Sequence, residues 1–231
     1  YGLWISIPLA GLMMAAIGWI IEVVLIRRVY ERSLTEQLLL TYALVLISGD
    51  VIKLTWGVAD LIVAKPQVVE GAVNILGSPF PTYYIFVVSL GGLMAWALWW
   101  LLYRTKFGRT VRASVFSREM VSALGIPIHR IYTGVFALSL FIAGTAGGAN
   151  APISSVALGM DMEVIIECFC VMVIGGFGSL LGALVGSLIV GLVYAFAIMV
   201  VPKMALILIF VVTAVVLIVR PWGLFGTPMR V

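Results

Sequence analysis

Tyr103-Arg-Thr-Lys-Phe-Gly-Arg-Thr-Val-Arg-Ala-Ser-Val-Phe-Ser-Arg-Glu-Met-Val-Ser-Ala-Leu-Gly-Ile-Pro-Ile-His-Arg130 is a polar, basic stretch set between two apolar runs, residues 82–103 and 131–149. Each flanking run has about the 20 residues that a helix needs to cross a hydrocarbon core. A segment this charged cannot lie in lipid, so it sits in water, and its cationic excess places it on the cytoplasmic face. The rest of the chain agrees. Of 231 residues, 63% are hydrophobic and 10% charged, and the mean hydropathy is +1.21. Soluble domains carry about 25% charged residues, and a soluble domain of this size has too little interior to hide so much apolar surface. The chain reads as an integral membrane protein. Its net charge of +4 follows from basic cytoplasmic loops rather than from nucleic-acid binding, since no stripe of aromatic and basic residues lies in water to stack bases.

Working outward, the apolar runs divide the chain into an all-α, polytopic transmembrane bundle of about six to seven spans. The first is expected at 4–26, followed by a cation-rich turn with Arg27, Arg28, Glu31, Arg32 and Glu36. The second is expected at 38–54, with Trp56 at the interface. Residues 57–81 carry Asp60, Lys65 and Glu70 among Gly and Pro and read as an external loop with room for a short surface helix. Spans at 82–103 and 131–149 enclose the basic loop, and 150–163 returns outside. Residues 164–201 are too long for one helix and barely enough for two, and contain Gly175-Gly-Phe-Gly-Ser-Leu-Leu-Gly-Ala-Leu-Val-Gly186. Each glycine lowers helix propensity by about 1 kcal/mol, so two short helices joined by a bend are expected there. Gly182 and Gly186 form a G-x-x-x-G that permits close helix contact. A last span at 206–219 ends at Arg220. Segments 27–32, 104–130 and 220–230 then share one side of the membrane. The chain opens on Tyr1 with no basic leader, and a further upstream piece, on this polypeptide or another chain, is expected.

Within the basic loop, Arg109 and Arg112 share a face of a helix over residues 108–115. Ser117 suits an N-cap for a helix over 118–124, Gly125 a stop, and Pro127 a bar to continuation. Two readings stand on physics: a solvated loop obeying the positive-inside rule, and a short helix that presses into a groove on a partner.

The residues Gly108-Arg-Thr-Val-Arg-Ala, Arg118-Glu119, Ala123-Leu-Gly-Ile-Pro, Phe136, Ala143-Gly-Thr-Ala-Gly147, Ile174-Gly-Gly-Phe-Gly-Ser, Gly182-Ala-Leu-Val-Gly and Val219-Arg-Pro-Trp-Gly-Leu-Phe-Gly226, in that order, resemble the branched-chain amino acid ABC permease family of LivH type, from about Glu22 to Gly226. The resemblance implies a single importer transmembrane domain over 1–231, lacking an N-terminal portion that in the family bears an Asn-Phe-Ala-His-Gly-Glu stretch. It implies a multi-pass subunit of the bacterial inner membrane that translocates branched-chain amino acids or related small polar solutes by alternating access. Arg109, Arg112, Arg118, Glu119, Ala123, Gly125 and Pro127 then form the segment that couples to an ATPase. That segment reads Glu119-Met-Val where the family pattern is Glu-Ala-Ala. The implied partners are a second, LivM-like permease subunit, two cytoplasmic LivG- and LivF-like ATPases holding ATP and Mg, an external substrate-binding protein and membrane lipid. This chain itself would bind no cofactor. The competing class is a secondary transporter or channel.

Glu167, Gly175, Gly176, Gly178, Ser179, Gly182 and Gly186 are the candidates for a translocation path or hinge. An ionisable group within a span is a functional candidate because burying its charge costs several kcal/mol. Glu167 can face a cavity or a cation on another subunit, or snorkel from a short helix. Many family members have lysine near this position, which leaves the substrate open. Glu22 beside Arg27 and Arg28, and Asp50 three residues before Lys53, read as structural pairs. Asp161 and Glu163 face outside, where they could contact a delivery protein. No P-loop exists, so this chain does not hydrolyse ATP by that chemistry. The lone His129 has no partner for a triad or metal site. Cys168 and Cys170 point in different directions on a helix and read as small apolar side chains. No catalytic or metal-ligating residue is expected.

Overall fold

A computed structural model describes residues 2–30, 32–64, 71–75 and 78–226; Glu31, Lys65, Glu70 and Arg230 lie outside them. Its helices are α1 (Gly2–Val24), α2 (Leu34–Trp56), α3 (Thr82–Arg104), α4 (Lys106–Phe116), α5 (Arg118–Ala123), α6 (Ile128–Asn150), α7 (Met160–Gly175), α8 (Leu180–Val200) and α9 (Ala205–Val219). Among the described residues, five helical stretches are long and apolar enough to cross a membrane: α1 with the 3-10 turn after it, α2, α3, α6 and α8. Apolar α9 is shorter. The chain is an all-α polytopic membrane protein, as its composition implies.

The helix ends show where local chemistry moved the boundaries. The second span begins at Leu34 rather than 38, because Ser33 caps it: its Oγ accepts the Glu36 N–H at 3.4 Å and donates to the Glu36 carboxylate at 3.1 Å. The cap satisfies one of the amides that a helix start leaves open. The third and fourth spans extend to Arg104 and back to Ile128. The segment 57–81, expected as an external loop, departs from expectation in its local structure. It holds no surface helix among its described residues; instead β1 (Ala72–Ile75) pairs antiparallel with β2 (Ser78–Pro81), Ala72 opposite Pro81 and Ile75 opposite Ser78. Pro79 and Pro81 disfavour a helix interior, and Val73 and Ile75 favour a strand.

The chain forms two compact units, Tyr1–Leu158 and Gly159–Val231. In the first, α1 and α6 pack antiparallel through small residues. Gly11 lies against Thr145 and Phe141, Gly18 against Leu140, and a Cβ on Gly144 would come within 2.8 Å of the Ala10 carbonyl. Without water to drive helices together, such close backbone approach supplies the attraction. The two ends of this unit are marked independently. At one end, the Tyr83 hydroxyl at the start of α3 donates to the Ala149 carbonyl near the end of α6 at 2.7 Å, and Leu61 and Val156 exchange backbone bonds of 3.0 and 2.9 Å. At the other end, Arg27 reaches Thr133 and Arg118 covers Tyr132. Segments 27–32 and 104–130 therefore share one end. Helix α2 buries no side chain within the chain.

In the second unit, Cys170, Ile174, Val190 and Ile209 form the core of α7, α8 and α9. The bend is narrower than the glycine run. Only residues 176–179 leave the helix, with Gly176 at φ 94° and Gly178 at φ 82°, and Ser179 caps α8 by accepting the Gly182 N–H at 3.0 Å. Gly182 and Gly186 lie inside α8, facing the backbone of Gly175 and Val171. The ending Arg220–Gly226 folds back on α7: Leu224 N–H donates to Ile174 O at 2.8 Å and Phe225 N–H to Gly175 O at 3.1 Å. These bonds satisfy carbonyls that the end of α7 would otherwise leave open. Gly223, at φ 75°, permits the turn and passes against Gly176 where a side chain would collide.

Candidate functional site

The basic loop folds as two short helices. Thr105 caps α4, accepting the Gly108 N–H at 3.1 Å, and Ser117 caps α5, accepting the Met120 N–H at 3.3 Å. Gly125, at φ 76°, ends α5, and Pro127 is the entry residue of α6. The sequence-predicted coupling residues divide between two faces. Arg109, Glu119, Ala123 and Gly125 are exposed. Arg112 stacks over the Tyr103 ring at 4.5 Å, and half-buried Arg118 stands 5.7 Å from the Tyr132 ring centroid. Beneath, Val121 is buried and anchors α5. Above, Val115, Met120 and Leu124 are 81%, 67% and 73% exposed. These three apolar side chains belong to the same short segment as the loop's arginines, outside the helices long and apolar enough to cross a membrane. Exposed apolar side chains in such a setting are available for contact with another molecule.

Next to α5 lies a buried polar cluster that sequence reasoning reached only in part. Glu22, near the end of α1, is fully buried. Its Oε2 pairs with Arg27 Nη2 at 3.3 Å, as expected, and also accepts the Thr133 hydroxyl of α6 at 2.6 Å. Arg27 Nη2 in turn donates to Thr133 Oγ1 at 2.9 Å. Glu22 Oε1 and Arg27 Nε have no hydrogen-bond partner among the described residues. Just beyond the first span, Tyr30 is held up to about 12, first by burial and then by the negative Glu22 carboxylate. The Tyr30 ring meets Tyr132 edge-on, with centroids 5.2 Å apart, and Tyr132 carries Arg118. A continuous line of contacts thus runs from α5 through Tyr132 and Tyr30 to the end of α1. Thr133 and the tyrosines carry no charge pattern in sequence; only an antiparallel α1–α6 pair brings them to Glu22.

In the second unit, Glu167 is half-buried on α7 and makes no ion pair or side-chain hydrogen bond among the described residues. Gly175, Gly176, Gly182 and Gly186 are buried at backbone contacts, whereas Gly178 is exposed and Ser179 half-exposed in the bend. Asp161 and Glu163 are exposed in the first turn of α7. Asp50 and Lys53 form the expected exposed pair at 3.4 Å. Cys168 and Cys170 are free thiols, one exposed and one buried. Among the described residues, no group of three or more His, Cys, Asp or Glu side chains could hold a metal ion.

Comparison with known proteins gives a consistent picture. The chain is 28% identical to a probable branched-chain amino acid transport permease protein LivH of Methanocaldococcus jannaschii, over 82% of this chain and 61% of that protein. It is 30% identical to the permease protein BraD of Pseudomonas aeruginosa, over 69% of this chain and 52% of that one. It is 28% identical to LivH of Escherichia coli, over 93% and 71%. The chain thus spans between half and two thirds of the length of the first two relatives. No solved structure matches it significantly. A family model described as branched-chain amino acid transport system / permease component matches residues 1–217, nearly the whole membrane-spanning array described above, and the chain belongs to that family.

Proposed function

We propose that the chain is a transmembrane permease subunit of an ATP-binding cassette importer in the inner (plasma) membrane. It would translocate branched-chain amino acids or related small polar solutes by alternating access. The observation that carries this reading is the apolar face of α4 and α5, with Val115, Met120 and Leu124 exposed in water and Val121 anchored below. An ATPase groove would cover that face, with Glu119 and Arg109 at its rim. Force applied to α5 then has a defined route. Arg118 bears on Tyr132, Tyr132 on Tyr30, and the Glu22–Arg27–Thr133 bonds lock the end of α1 to the start of α6. The α1–α6 pair would therefore tilt as one body.

ATP and Mg bind on the partner ATPases, LivG- and LivF-like in kind, and this chain contributes no cofactor site. A LivM-like second permease would cover the exposed apolar faces, among them α2. An external binding protein would deliver solute near Asp161 and Glu163. Glu167, with the bend at Gly176, Gly178 and Ser179 and the close packing of Gly175, Gly182 and Gly186, is assigned to the translocation path and its moving parts.

The test is co-expression with candidate ATPases of the M120E/L124E variant. The expected result is loss of ATPase co-purification and of solute-stimulated ATP hydrolysis, with the melting temperature unchanged, because both side chains already face water. Undiminished assembly and hydrolysis in the variant would overturn the proposal.

A further inference from the structure

Beside α5 the first unit contains a cleft of about 420 Å³ lined by Tyr30, Arg118, Tyr132, Val135, Phe136 and Ser139. Its lining is graded. The guanidinium and both phenols stand at the aqueous end, and Val135, Phe136 and Ser139 follow along α6 into its membrane-spanning length. From Tyr132 to Ser139 the helix rises about 10 Å. Ser139 is exposed, so the cleft is open along α6 at that depth.

The cation at its head is uncompensated. Arg118 is half-buried, yet no carboxylate lies within ion-pair distance of it and it donates no side-chain hydrogen bond among the described residues. The adjacent carboxylate, Glu22, is already paired with Arg27. The Arg118 guanidinium stands over the face of Tyr132, whose hydroxyl is likewise without a hydrogen bond among those residues. A partly desolvated guanidinium presents several N–H donors in a planar fork suited to carboxylate or phosphate oxygens. The apolar lower half selects among such anions, because Val135 and Phe136 offer nothing to a free ion and a good surface to hydrocarbon.

We propose that this cleft binds one anionic phospholipid of the cytoplasmic leaflet. Its phosphate sits on Arg118 and the Tyr132 hydroxyl, away from Tyr30, whose hydroxyl is engaged by Glu22, and its first methylenes lie on Val135 and Phe136. The lipid would join α5 to α6 at the point where the contact line toward α1 begins. This site stands whether or not α5 docks an ATPase.

The test is native mass spectrometry of the full transporter complex, offered phosphatidylglycerol, phosphatidylcholine or inorganic phosphate. The wild type is expected to retain one phosphatidylglycerol under activation that strips phosphatidylcholine. R118Q should weaken that retention about tenfold, the loss of one charge-assisted contact. S139W, which keeps the cation but fills the open flank of the cleft, should weaken it too, and covers the case in which R118Q fails to assemble. Equal retention of the two lipids by the wild type would overturn the proposal, as would retention untouched by both variants. Competition by millimolar inorganic phosphate would assign the site to a free anion. A photo-crosslinker at position 139 that captures protein and not lipid would assign it to a subunit interface.

Discussion

Replacing Thr133 with Val tests whether the end of α1 is bolted to the start of α6. Valine matches threonine in shape, so packing is kept while the hydroxyl is lost. That hydroxyl donates to Glu22 Oε2 at 2.6 Å and accepts from Arg27 Nη2 at 2.9 Å, and the carboxylate it serves is fully buried. After the change, Glu22 keeps Arg27 at 3.3 Å and the neighbouring Tyr30 hydroxyl, and its Oε1 has no hydrogen-bond partner among the described residues. A hydrogen bond to a charged group contributes about 1.5–3 kcal/mol in water-soluble proteins, and side-chain bonds between membrane helices average about 0.6 kcal/mol, so T133V should cost about 1–3 kcal/mol. For a chain of this size 2 kcal/mol corresponds to a melting temperature lower by roughly 4–8 °C. Thermal unfolding of the purified protein in detergent, followed by near-ultraviolet signal, reads this directly. The double variant E22Q/T133V then separates a shared network from two independent losses. Because both changes remove the same contact, the double variant should fall short of the summed single losses by more than about 0.5 kcal/mol. A T133V shift below about 1 °C, or strictly additive losses, would refute the reasoning.

At Gly182 a Cβ would overlap the Gly175 carbonyl, whereas nothing lies within 4 Å at Gly191. G182A should therefore destabilise by about 1–3 kcal/mol through overpacking, and G191A, in the same helix, should be neutral or stabilising by up to about 1 kcal/mol. Equal melting temperatures for the two would show that α7 and α8 do not approach as described. Tyr30 should ionise late, near 12, because burial and the Glu22 carboxylate both oppose its phenolate. The folded state then holds a proton that the unfolded chain releases near 10, so this group lowers stability as pH rises from about 10 toward 12 and has no effect below. In an absorbance titration, Y30F should lose a late-ionising phase that the wild type shows; an unchanged late phase would dismiss the assignment.

Much of the fold was legible because membrane insertion obeys a one-dimensional rule. A run of apolar residues of sufficient length must become a helix, since hydrocarbon leaves the backbone no other partner. Hence the spans around 4–26, 38–54, 82–103 and 131–149 all appear, 206–219 forms an apolar helix that is shorter, and short-range chemistry at Ser117 and Gly125 placed α5 to within a residue of its end. The β1–β2 hairpin was missed because strand pairing joins residues through a partner that a single-segment pattern does not display.

By itself, then, the sequence determined that this protein is a stack of membrane helices and where the short helices of its basic loop start and stop. Those properties depend on the hydropathy and capping of neighbouring residues. Tertiary structure decided what the polar and glycine residues do. It gave Glu22 a second partner more than a hundred positions away, set Arg118 over Tyr132 at the head of a cleft, and turned Gly182 and Gly186 of α8 into contacts with α7. It also made the terminal Arg220–Gly226 turn the cap of α7. Each depends on which faces of distant helices meet, and that is set by backbone approach and side-chain shape across the bundle rather than by any local run of residues.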